Sequence, residues 1–161
     1  MKKRLEFLAF APVLVASAFA QGQMTDNTNG KNVLIVSAGA YSNAGAGGVY
    51  SASSGAFSGA INTTTNLTNT LIVAAADTST ARAGGAYLNN ASGSGSITDK
   101  TSGTNILVVS AGKQTKALYG GVFIDGGAAN AQINTTTNGS NILLVAAGNR
   151  AFAQMGGAYI K

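Results

Sequence analysis

A short run of alternating apolar residues recurs along the chain, and two glycines follow each copy. The run has the pattern Asn-x-Leu-(Ile/Val/Leu)-Val-(Ser/Ala)-Ala and begins at Asn32, Asn69, Asn105 and Asn141. The glycine pairs open a second pattern, Gly-Gly-(Val/Ala)-(Tyr/Phe), which begins at Gly47, Gly84, Gly120 and Gly156. Columns of Met or Ile and of Thr keep the same spacing: Met24, Ile61, Ile97, Ile133 and Thr28, Thr65, Thr101, Thr137. Spacing shared by independent columns defines four repeats, 24–60, 61–96, 97–132 and 133–161.

The apolar runs predict β-strands, because their residues alternate and no 3.6-residue apolar period persists. Two columns never change and are expected on the inward face: Leu34, Leu71, Leu107, Leu143 and Val36, Val73, Val109, Val145. The residues between them, such as Ile72 and Val108, belong to the opposite face and are apolar too. The strand is therefore either buried on both sides or offers one apolar face to a partner. A second strand is expected after each glycine pair, which permits a sharp bend, and a weaker one at each Met or Ile column.

Equal repeats of short strands predict an all-β fold, a β-solenoid of four 36–37-residue repeats in which like side chains form ladders. The Leu and Val columns would form apolar ladders, Asn32, Asn69, Asn105 and Asn141 an amide ladder, and Tyr50, Tyr87, Phe123 and Tyr159 an aromatic one. The aromatic column is expected to stack rather than bind sugars. One rung or two rungs per repeat would fit the length, and a four-bladed propeller is the rival fold.

The first 20 residues have the order of an export signal. Lys2 to Arg4 are basic, residues 8–15 are apolar, and Ala18-Phe19-Ala20 precedes Gln21 as a cleavage site. We expect residues 1–20 to be removed and 21–161 to form a single repeat domain at the cell surface or outside the cell. No later segment reaches the length needed to span a membrane as a helix.

Composition argues against most catalytic chemistry. Charged residues are 9% of the chain, Cys and His are absent, and the net charge of +5 falls to +3 without the signal. Without His or Cys the commonest base, nucleophile and metal ligands are missing, so no enzyme activity, cofactor or metal is expected. Asp26 and Asp99 share one column and are expected on an exposed turn, while Arg82, Lys113 and Lys116 are read as scattered solvating charges. No basic cluster suggests nucleic acid.

The ends of such a stack expose unpaired strand groups, and no capping segment is evident in the sequence. Low charge and repeated β-prone windows are typical of cross-β assembly. We therefore expect head-to-tail addition, with the chain itself as the main partner and a secretion or nucleation protein at the outer membrane as a second. The alternative is an N-terminal fragment of a longer surface protein.

The repeat composition, with Ala-Ala-Gly-Asn at 146–149 and Ala-Asn-Ala-Gln at 129–132, resembles secreted bacterial functional amyloids of the curlin-like and Fap-like kinds. That resemblance implies an extracellular biofilm fibre built from β-solenoid subunits, although curlin repeats are shorter and carry regular Gln columns. The Gly-Gly-Ala-Tyr copies resemble passenger segments of autotransporter adhesins, which implies an adhesive surface protein. Neither resemblance assigns a functional residue.

Overall fold

The computed structural model describes residues 14–15, 20–51, 55–89, 91–126 and 129–161. In this part of the chain all regular structure is β, and no helix is long and apolar enough to cross a membrane. The strands are β1 (Leu14–Val15), β2 (Ala20–Lys31), β3 (Leu34–Ala38), β4 (Tyr41–Ala46), β5 (Val49–Ser51), β6 (Gly55–Ala75), β7 (Thr78–Ala83), β8 (Ala86–Asn89), β9 (Ala91–Ala111), β10 (Gln114–Tyr119), β11 (Val122–Asp125), β12 (Ala129–Ala147), β13 (Arg150–Met155) and β14 (Ala158–Ile160).

The strands form three parallel sheets that run side by side along one axis. Sheet one has the order β12-β9-β6-β2, with β3 beside β6; sheet two is β13-β10-β7-β4; sheet three is β1-β5-β8-β11-β14. Each repeat contributes one strand segment to every layer, and Ile61 pairs with Ile97, which pairs with Ile133. The fold is thus the predicted β-solenoid with one coil per repeat. Parallel pairing rules out the propeller, whose blades are antiparallel.

We call residues 24–60, 61–96, 97–132 and 133–161 coils one to four. The pairing offset is 37 residues at Val49 with Ala86 and 36 residues at Gly55 with Ala91. The extra residue of coil one therefore falls after its glycine pair, as the spacing of the repeats predicts. The single domain from residue 21 stays a prediction. Of the predicted signal, the structure describes only Leu14–Val15, which pair with β5, and Ala20; residues 1–13 and 16–19 lie outside the described part.

Each coil bends at two places where the backbone needs a positive φ. The first is the Asn column that opens the apolar run, with φ of 57°, 49°, 57° and 55° from coil one to coil four. Asn tolerates this left-handed conformation better than most residues with a side chain. The second is the glycine pair between sheets two and three, where Gly47 and Gly48 have φ of 65° and 82°. We call these bends the Asn corner and the Gly-Gly elbow.

The elbow touches sheet one and divides the interior into two apolar lobes. A Cβ added to Gly47 would come within 2.9 Å of Thr28 and Thr65, so only glycine fits there. One lobe packs sheet two against the second half of sheet one, around Ile72, Val108 and Tyr119. The other packs sheet three against the first half, around Ile97 and Val122.

The prediction of which face of the apolar strand is buried is wrong. The fully buried residues are Ile72 and Val108, while Leu34, Val36 and Leu143 are 51%, 64% and 57% exposed. Leu71, Val73, Leu107, Val109 and Val145 are half-buried on the same outer face. Stacking explains the error. A residue on the outer face contacts the same residue type in the next coil, so an outer column can keep one residue type just as a core column does. Of the two alternatives, the strand offers one apolar face outward.

Coil three fills its core differently from coil two. Coil two places Leu67 and the small Ala83 in this lobe, whereas coil three has Gly103 and the large Tyr119 at the paired positions. A Cβ on Gly103 would approach the Tyr119 hydroxyl to 2.7 Å. That hydroxyl donates to the carbonyl of Asn138 at 2.9 Å. The ring thus uses the space that a side chain at position 103 would need.

Candidate assembly site

The Asn corner carries the predicted amide ladder. Each Nδ2 donates to the Oδ1 of the previous coil: Asn69 to Asn32 at 3.0 Å, Asn105 to Asn69 at 2.9 Å, and Asn141 to Asn105 at 2.9 Å. The four side chains are exposed, so the ladder runs along the outer surface. Each Asn therefore has two functions: it adopts the corner conformation and it links adjacent coils.

The aromatic column forms a second ladder, as predicted. Successive centroids of Tyr50, Tyr87, Phe123 and Tyr159 are 5.2, 5.0 and 4.9 Å apart, and their interplanar angles are 24°, 4° and 13°. Each inner ring thus has its faces covered by the rings of neighbouring coils. Because sugars bind aromatic rings through the ring faces, Tyr87 and Phe123 have none to offer, and the stacking interpretation is the better one.

A groove of about 450 Å³ lies in the outer angle between sheets two and three, above this aromatic ladder. Lys116 bridges it, with its Nζ 2.5 Å from Asp125 and 2.9 Å from the hydroxyl of Tyr87. Burial alone would lower the pKa of Lys116, but the hydrogen bonds to Asp125 and Tyr87 outweigh it and raise the pKa above its ordinary value. The expectation of a freely solvated Lys116 is therefore wrong. Lys113 is exposed and pairs with the equally exposed Asp77 at 3.1 Å, which agrees with that expectation.

Arg82 is buried, which corrects its reading as a solvating surface charge. Its side chain is 2% exposed and its guanidinium lies 4.5 Å from the ring centre of Tyr50. The room comes from Gly45 in coil one, where a Cβ would meet Arg82 Cζ at 2.9 Å. Burial lowers the pKa of Arg82 to about 10, opposed by the fields of Tyr50, Tyr87 and Asp26. The cation therefore fills a packing position beside the aromatic ladder.

Asp26 and Asp99 lie inside the coils, and the expectation of an exposed turn is wrong for both. Asp99 is fully buried and accepts hydrogen bonds from the Gly121 amide at 2.7 Å and the Thr63 hydroxyl at 2.6 Å. Asp26 accepts from the Gly48 amide at 2.7 Å. Each carboxylate thus binds the elbow of its own coil to sheet one, because it satisfies an amide that the Gly-Gly bend leaves inside the protein.

The surroundings of Asp99 shift its pKa upward. Burial raises the pKa of Asp99 above its ordinary value, and the hydrogen bonds from Thr63, Gly121 and Thr101 only partly oppose that effect. Thr101 donates to this carboxylate at 3.1 Å, whereas the hydroxyls of Thr65 and Thr137, in coils with a threonine at the position of Asp99, have no partner in the described part of the structure. Odd-numbered and even-numbered coils therefore differ at the elbow.

The paired positions show that this difference is one part of a two-coil period. Four columns alternate strictly between odd and even coils. From coil one to coil four the columns are Asp26, Thr63, Asp99, Thr135; Thr25, Asn62, Thr98, Asn134; Ser37, Ala74, Ser110, Ala146; and Val49, Ala86, Val122, Ala158. An aspartate therefore always lies next to a threonine, and the larger valine next to alanine. These four columns therefore repeat every two coils.

Sequence reasoning missed sheet two and the buried polar residues of the elbow. A signal for sheet two was present in the alternating alanines, such as Ala44 with Ala46 and Ala81 with Ala83, which are small enough for the narrow lobe. A signal for the elbow was the shared column of Asp26 and Asp99 at a constant distance of 22 residues before a glycine. Nothing in the pattern marked Arg82 as buried.

No family, curated protein or solved structure matches this chain in the comparisons that were made. The resemblances to functional amyloids and to adhesin passengers stay predictions. Within the described residues no group of three or more His, Cys, Asp or Glu side chains could hold a metal ion. What the arrangement offers chemically is a set of ladders in which each inner coil contacts like residues of the coil on either side.

Proposed function

We propose that the chain is a secreted structural protein, the subunit of an extracellular fibre or biofilm matrix that grows by stacking solenoids end to end. The observation that carries this proposal is the difference between inner and outer coils in the same core column. Ile72 and Val108 are fully buried, whereas Ile35 and Leu144 are only partly buried. A second copy would cover both, because its coils carry the same column.

The same ladders would form the contacts between coil four of one copy and coil one of the next, which we call the joint. Asn141 presents an Oδ1 acceptor like the one with which Asn105 accepts from Asn141, and Tyr159 stacks on Phe123 as the last ring of the aromatic ladder. Stacking coil one of a second copy on coil four would continue the amide, aromatic and apolar columns in register. Parallel backbone hydrogen bonds would continue as well, as they do in cross-β assemblies.

The experiment is to purify the chain with and without residues 1–20 and to follow its polymerisation at neutral pH. Fibres that give X-ray reflections at about 4.7 and 10 Å would support the proposal. A stable β-rich monomer under all conditions would contradict it. Export is tested separately by sequencing the N-terminus of secreted protein, which should begin at Gln21.

An adhesin remains the second candidate, and the groove above the aromatic ladder is the observation that favours it. Among the described residues, its lining includes three basic side chains, Lys116, Arg150 and Lys161, and one acidic side chain, Asp125. A monomer that bound cells or anionic glycans, and lost binding in Arg150→Ala, would support this alternative against the fibre.

A further inference from the structure

The two-coil period determines which coil can follow coil four. Inside the chain every odd coil is followed by an even one, so a threonine of the column Asp26, Thr63, Asp99, Thr135 always contacts an aspartate. Coil four is even and ends this column with Thr135. A coil of the odd kind therefore continues the period, and coil one of a second copy is of that kind.

We infer that Thr135 is the recognition residue of the joint between copies, and that its hydroxyl donates to the buried carboxylate of Asp26 in the next copy. This inference rests on the proposed end-to-end fibre and names the contact that selects its register. The chain already contains the same contact once, since Thr63 of coil two donates to Asp99 of coil three at 2.6 Å. Thr135 has the equivalent place in coil four, and Asp26 that of Asp99 in coil one.

The other alternating columns fit the same joint. Ala158 would lie against Val49 of the next copy, as Ala86 lies against Val122, and Ala146 against Ser37, as Ala74 lies against Ser110. Stacking two coil-four faces would leave each Thr135 without a carboxylate of this column, and stacking two coil-one faces would leave each Asp26 without the threonine donor. The alternation therefore favours head-to-tail polarity over the other ways of joining two ends.

A double-mutant cycle on fibre growth separates this contact from an effect on folding. Asp26 and Thr135 are three coils apart in one chain, roughly 14 Å at the usual strand spacing, so their effects on monomer stability should add. They meet only at the joint, where their effects should be coupled. The quantity measured is the critical concentration for fibre growth, with circular dichroism to confirm that each monomer is folded.

Thr135→Val should raise the critical concentration about tenfold, the usual effect of leaving a buried acceptor without its hydrogen bond. Asp26→Thr should raise it too, and the double variant should be no worse than Asp26→Thr alone. Thr135→Ser keeps the hydroxyl and should restore growth. The matched control is Thr136→Val, an exposed neighbour on β12 that should leave growth unchanged.

Each comparison uses variants of the same length and is made twice, once with the full chain and once with the chain that begins at Gln21. In the full chain β1 pairs with β5 and therefore occupies the edge that β14 of another copy would use. If valine prevents folding, Thr135→Ala replaces it in the cycle. If the critical concentration of the double variant rises by the product of the two single effects, the Thr135–Asp26 contact is overturned and the fibre proposal still stands. Absence of fibres from the unmodified chain would contradict the fibre proposal itself.

Discussion

The inner and outer faces of the apolar strand have similar sequences but different environments. Val108 is completely buried between sheets one and two, and its neighbour Val109 faces outward in a ladder with Val73 and Val145. In an ordinary sheet a constant apolar column would indicate the core. In a solenoid each residue also contacts the equivalent residue of the next coil, so repetition alone does not distinguish a core column from a surface column.

The largest expected effect comes from placing a carboxylate on each face in turn. Val108→Asp should prevent folding, because an unpaired buried charge costs more than about 5 kcal/mol, comparable with the whole stability of a domain. Val109→Asp should change the free energy of unfolding by only about 1 kcal/mol. Circular dichroism with denaturant titration measures both. Equal losses from the two variants would mean that the assigned faces are wrong.

The next largest expected effect concerns the core of coils two and three, which place their large and small side chains at opposite positions. Tyr119→Ala should lower the free energy of unfolding by about 3–5 kcal/mol because it leaves a cavity. Adding Gly103→Leu copies the Leu67 and Ala83 arrangement into coil three and should recover part of that loss. Tyr41→Ala, at an outer position that is 84% exposed, is the control and should have little effect. No recovery in the double variant would argue against the shared space.

The Asn corner should give a smaller effect, because its ladder lies on the surface. Asn105→Ala loses two exposed amide hydrogen bonds and also places alanine at φ 57°, which costs about 1–2 kcal/mol. Asn105→Gly loses the same hydrogen bonds without the backbone strain. Thermal unfolding should therefore rank the unmodified chain first, glycine second and alanine last. Alanine as stable as glycine would indicate that the strained corner is unimportant.

The smallest expected effect is a pH dependence that arises from Asp99. Its pKa is raised in the folded chain by burial, so its contribution to stability is fully present below the ordinary value of 3.8 and is lost as pH rises through the raised pKa. Asp99→Asn should remove this part of the profile. Denaturant titrations of both chains across this range test it, and parallel profiles would show that Asp99 does not titrate differently on folding.

The repeats predicted the coils, but not which side chains lie inside them. Equal spacing of the Asn and Gly-Gly patterns was enough for the solenoid, the amide ladder and the aromatic ladder, since each depends only on like residues lying in register. The positions of Val108, Arg82 and Asp99 depend instead on how one coil closes on itself. That closure requires sheet two and the elbow, whose marks in the sequence are small residues with no strong apolar pattern.

The most direct test of end-to-end stacking is the axial rise per subunit in fibres of the chain, measured by electron cryomicroscopy. Four coils per chain predict a rise of about 19 Å, four times the strand spacing of roughly 4.8 Å, with coil one of each copy on coil four of the previous one. A rise of one strand spacing per chain would mean that each molecule lies flat in a single layer. That result would contradict the solenoid as the unit of assembly.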